Sequence, residues 1–201
     1  MNQLNYLRFF GLLLLMTLSL HTTGQEDSGL PYRTIPDYPD SYDENTVAAR
    51  MVDGLGFRYY WATEGLRLED LSYKPSEDAR TSMETLVHIH GLCHVLLNAV
   101  MQKPNIRAEE KDWAFEELRK ETLLAIRSAS DRLKTAGKGD MDHFKIVFKR
   151  GEKTSEYPFW NMLNGQLADA LWHVGQVVSM RRGSGNPISP KVSVFSGTVR
   201  E

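Results

Sequence analysis

The stretch NGQLADALWHVGQVVSMRR, Asn164–Arg182, decides how this chain is read. Leu167, Leu171, Val174 and Val178 recur at intervals of three and four, and Ala170, Val177 and Met180 widen the stripe. That period predicts a helix buried along one side. Asp169 and His173 stand four apart, so on a helix they lie about 40° from each other around the axis and roughly 6 Å along it, near enough to share one ion. The same spacing suits a hydrogen-bonded or solvated Asp–His couple, and the pair alone does not separate the two. Gln176 follows on nearly the same face.

Working outward, Tyr157–Leu163 leads into this helix, and Phe144–Lys149 (FKIVFK) alternates in a way that predicts a small hairpin or an extended crossover. Asn105–Thr135 reads as a helix with Phe115, Leu118, Ala125, Ile126 and Leu133 inward and a solvated face of mixed charge outward. Glu77–Met101 reads as another, ending before Lys103-Pro104. Its centre, TLVHIHGLCHVLL, holds three histidines: His90 and His94 share a face, and His88 points to a different one, flanked by Glu84 and Leu92. For each of them core or boundary packing competes with metal binding. Asp43–Leu66 gives the first helix, with Val47, Met51, Leu55, Tyr59 and Ala62 on one stripe and Gly54 and Gly56 suited to close packing. Pro31, Pro36 and Pro39 make 25–42 an extended arm, and Pro187 and Pro190 make 183–201 an extended tail. Four long helices without a substantial sheet predict an all-α fold, a four-helix bundle over 43–182.

Residues 1–24 read as a secretory signal peptide: Arg8, the apolar run Phe9–Leu20, then Thr22, Thr23 and Gly24 as small residues before a cleavage point after Gly24. The run is too short to span a bilayer core of about 30 Å. Removing 24 of 201 residues leaves 177, and losing Arg8 takes the net charge from −2 to −3. That is one domain of mildly acidic chain with no basic footprint for nucleic acid, and no membrane association is expected after cleavage. A single cysteine, Cys93, makes no internal disulfide and, in an apolar helical run, reads as a buried thiol. The expected location is extracytoplasmic, periplasmic or secreted.

Two segments resemble the DinB/YfiT-like superfamily, helical bundles many of whose members bind a divalent metal through three histidines. ATEGLRLEDLSYKPSEDARTSMETLVHIHGL is similar to the exit of the family's first helix and to its second helix, and assigns His88 as a ligand. WNMLNGQLADALWHVGQVVSMRRGSGNP is similar to its last helix and assigns His173, with Asp169 standing where the family has its other histidine. The resemblance therefore implies a metal site of His88, Asp169 and His173 in a DinB-like bundle, with Glu84 and Gln176 as candidates to orient the ligands. A carboxylate oxygen suits zinc, nickel or manganese and lowers the charge of the site by one. The implied function is a metal-dependent enzyme activating water or a thiol, with export favouring hydrolysis of a small-molecule substrate. The competing expectation is a non-catalytic binding module in which Asp169 marks a degenerate site. Substrate and oligomeric state, a homodimer included, are left open by the sequence.

Overall fold

A computed structural model of the chain describes residues 29–107 and 111–201; the expected signal peptide and the first residues of the arm lie outside them. Helix α1, Glu44–Thr63, starts at a capping box, with the Asp43 carboxylate accepting from the Asn45 and Thr46 amides and the Thr46 hydroxyl accepting from the Asp43 amide. A short helix, α2 (Leu68–Ser72), interrupts the connector, and α3 runs from Ser82 to Val100. It begins five residues later than the periodicity predicts, because the Thr81–Glu84 box sets the first turn.

Beyond α3 come strand β1 (Asn105–Ile106), helix α4 (Phe115–Lys134) and a hairpin of β2 (Ile146–Arg150) and β3 (Lys153–Tyr157). β1 pairs parallel with β2, Asn105 opposite Phe148, and β2 pairs antiparallel with β3. Helix α5 (Trp160–Met162) runs through a π turn, Leu163–Leu167, into α6 (Ala168–Gly183). The tail folds into strands β4 (Val192–Ser193) and β5 (Thr198–Val199), an antiparallel pair.

The all-α expectation is therefore wrong: among the described residues five strands in two small sheets accompany the helices, and the tail is a hairpin where extended chain was expected. The third helix begins ten residues after Asn105 because a neighbour claims that residue. Its side chain donates to the Val147 carbonyl and accepts from Asn98, and its backbone lies beside β2. Helical periodicity carries no trace of such a pairing.

The four long helices still enclose one core, α1 against α4, α4 against α3, α3 against α6 and α6 against α1. Leu86, Ile89, Cys93 and Leu96 of α3 meet Tyr59 of α1, Ile126 of α4 and Val177 of α6 in this core. Each large apolar side chain so buried contributes about 1.5–3 kcal/mol. Burial pushes the Cys93 thiol up to about 12, so it stays protonated and inert. The arm is tied down through Gly56, where a Cβ would come within 2.5 Å of the Tyr32 ring. Tyr32 donates to buried Asp53, which also accepts from Ser130 and pairs with Lys134. At the other end Arg181 of α6 donates to the carbonyls of Trp61, Ala62 and Glu64, satisfying the last turn of α1 and fixing α6 against it.

Candidate metal centre

Two local features aim the side chains. On α3, turning Leu86, Ile89 and Cys93 into the core leaves His88 half-buried on the side toward α6. On α6, the preceding segment Leu163–Leu167 is a kink between two helices, so α6 sets out with a direction and phase of its own. Gly165, with φ −97° and ψ −107°, takes up the kink. Asp169 and His173 emerge from this re-phased helix facing His88.

The three groups meet. His88 Nε2 lies 3.4 Å from Asp169 Oδ2, and His173 Nε2 lies 3.3 Å from Asp169 Oδ1. The two imidazole rings stand edge to face with centroids 4.6 Å apart. Candidate ligand atoms of all three lie within 4.8 Å of one another, and they form the one such group of three among the described residues. The side chains are 35, 45 and 16 % exposed for His88, Asp169 and His173, so the cluster opens to solvent at the carboxylate.

The spacing tests whether a metal fits. Ligand atoms each about 2.0 Å from one tetrahedral ion stand about 3.3 Å apart. A charge-assisted hydrogen bond between imidazolium and carboxylate would instead draw nitrogen and oxygen to about 2.7–2.9 Å. Both separations are longer than that hydrogen bond, and they run to different oxygens of the Asp169 carboxylate, so the three groups fit a shared ion to which the carboxylate contributes one oxygen or both. Gln176 adds the acceptor a ligating histidine needs: its Oε1 takes a hydrogen bond from His173 Nδ1 at 2.7 Å. An amide oxygen only accepts, so Nδ1 is the donor in this contact and Nε2 is the ring nitrogen that faces Asp169.

Glu84 does not join the site. Its carboxylate accepts from the Thr81 amide and hydroxyl at the start of α3, and these bonds hold its pKa below the ordinary glutamate value. His90 and His94, for which packing and metal binding competed in the sequence, pack against α4 and Trp113. His90 Nδ1 lies 3.0 Å from the Thr122 hydroxyl, and its ring centroid is 4.3 Å from that of His94 and 4.6 Å from that of Trp113. Sequence reading passed over Gln166, whose buried amide oxygen has no hydrogen-bond partner among the described residues.

Beside His173 and Gln176 opens a cleft of about 590 Å³, floored by Thr85, Gly175 and Met180 and walled by Tyr73 and Trp172, with Arg80 the charged side chain in its lining. Comparisons of the chain with family models, with curated proteins and with solved structures return no match, so none of them identifies a DinB-like relative.

Proposed function

We propose that this chain is an exported, metal-dependent enzyme related to the DinB/YfiT-like superfamily, with His88, Asp169 and His173 holding a divalent zinc, nickel or manganese ion. The observation that carries the reading is the convergence of two imidazoles and one carboxylate from helices 81 residues apart in sequence, at separations suited to a shared ion. An ion held by three protein ligands keeps coordination positions open and supplies Lewis-acid activation of a water or thiol nucleophile.

The chain's own groups set the terms of that chemistry. Asp169 gives the ligand set one negative charge, where three neutral histidines would give none, and this moderates how strongly a bound water is acidified. Gln176 fixes the tautomer and orientation of His173. The cleft gives a small substrate room next to His173, with Trp172 as an exposed aromatic wall. The segment 1–24 supports an extracytoplasmic location. There the small thiols of the cytoplasm are scarce, which favours hydrolysis over thiol transfer.

Metal analysis after dialysis against each of the three ions tests the site. One ion per chain is expected for the wild type, lost in both Asp169→Ala and His173→Ala while the fold persists by circular dichroism. A fully folded wild type that stays metal-free under replete conditions overturns the proposal. For the reaction, a panel of activated esters and phosphoesters should show turnover that chelation stops and His173→Ala lacks.

A further inference from the structure

A second concavity, of about 700 Å³, lies between the start of α1, the turn at 139–142 and the segment from Pro158 to Leu167. It shares no lining residue with the cleft beside His173. Val47, Met51, Met141, Phe159, Leu163 and Leu167 make its wall apolar. Two aromatic side chains in its lining stand largely in solvent, Tyr42 at 99 % and Trp160 at 76 % exposure. The charged side chains of the lining have one sign: Asp43, Glu44 and Asp142. Hydrogen bonds from the Thr46 amide and the Ser41 hydroxyl hold the Asp43 pKa below the ordinary aspartate value, so it stays ionised.

We propose that this groove binds a small amphiphilic cation, an aromatic or aliphatic body carrying a protonated amine or a quaternary ammonium. Clustered exposed apolar side chains mark a binding surface, and the volume falls in the range of small-ligand sites, about 300–1,000 Å³. Fourteen residues line the groove, fewer than the roughly 20–30 that a stable protein interface takes from each side. Carboxylates in the lining attract a cation and repel an anion. The faces of Tyr42 and Trp160 add a cation–π component, and Met51 and Met141 adapt to the shape of the apolar body.

The test uses a matched pair of probes with one ring system and opposite charge, 2-(1-naphthyl)ethylammonium and 1-naphthylacetate, titrated calorimetrically into the full protein. The cation should bind at least about tenfold more tightly than the anion. The double variant Glu44→Gln, Asp142→Asn should bring that preference to within about threefold, and Trp160→Ala should weaken the cation at least about fivefold. All three positions are exposed, and circular dichroism checks that the variants fold. A chelator should change nothing, which separates this groove from the metal centre. Equal affinity for both probes, no binding of the cation below millimolar, or an unchanged preference in the double variant would overturn the proposal. So would a concentration-dependent dimer abolished by Trp160→Ala, which would make a second copy the occupant.

Discussion

His88 and His90 leave the same helix two residues apart and end in opposite surroundings. Across from His88, α6 brings a carboxylate, a second imidazole and an amide acceptor, with a cleft alongside. Across from His90, α4 brings the Thr122 hydroxyl, and Trp113 covers the ring with the Lys111 ammonium 3.8 Å over its own face. Burial, then the neighbouring His94 and Lys111, push the His90 pKa down to about 4. Among the described residues no third ligand group joins that pair. The i,i+4 pair His90 and His94 thus has the spacing of a metal site without the rest of one, whereas His88 has no histidine partner on its own helix face and gains two ligands from another. The facing helix decides which imidazole can act as a ligand.

The sharpest way to break this contrast is to remove one imidazole from each region. His173→Ala should lower zinc affinity by about a thousandfold or more, since it leaves two ligands of three. His94→Ala should change it by less than about threefold. Equilibrium dialysis against zinc measures both, and equal losses would erase the distinction drawn between the regions. Next in size is Gln176→Ala, which removes the acceptor at His173 Nδ1. Loss of such a partner typically costs about 10- to 100-fold in metal affinity. An unchanged value would show that the amide is mere packing.

Much of this was legible in the chain, and the reasons for the rest are physical. The four long helices follow from apolar period, and Asp169, His173 and Gln176 follow from spacing on one of them, because both signals are local. The choice of His88 over His90 and His94 was not local. It depends on which side of α3 the last helix packs, and only a family resemblance pointed to it. The short strand at 105–106 arises from pairing with the distant strand β2, which no window of sequence contains, whereas the hairpin of β4 and β5 is local and was masked by the prolines around it. The π turn was hidden because Asn164-Gly165-Gln166 fits the helical period; its signature is the backbone freedom of one glycine.

The histidine pair against α4 should reveal itself through pH. His90 has a folded pKa of about 4 against an unfolded value near 6.5, and His94 is lowered as well, chiefly by burial. Between these values the unfolded chain binds more protons, so stability is full above about pH 6.5 and falls as the pH drops toward 4. Allowing for solvent screening at these partly exposed rings, the loss is about 1–2 kcal/mol. Urea unfolding with chelator present, at pH 7 and pH 4.5, measures it. The double variant His90→Gln, His94→Gln should flatten the profile by that amount, and an identical profile would show that the two rings are already accessible to protons in the folded chain.

The smallest expected effect concerns Glu84, which helical spacing places four residues before His88 and which the structure assigns to the Thr81 cap. Two sequence signals compete at this residue: proximity to a candidate ligand, and the pattern Thr81-Ser82-Met83-Glu84, a capping box. The box prevails because it satisfies the exposed Thr81 amide at the first turn, while His88 draws its carboxylate from Asp169. Thr81→Ala should therefore cost about 1 kcal/mol of stability and leave zinc affinity unaltered. Glu84→Gln keeps an acceptor at the same position, so both stability and zinc affinity should stay close to wild type. If Glu84→Gln instead weakened zinc tenfold, the carboxylate would be acting on His88 through space, and the start of α3 would belong to the centre it now only positions.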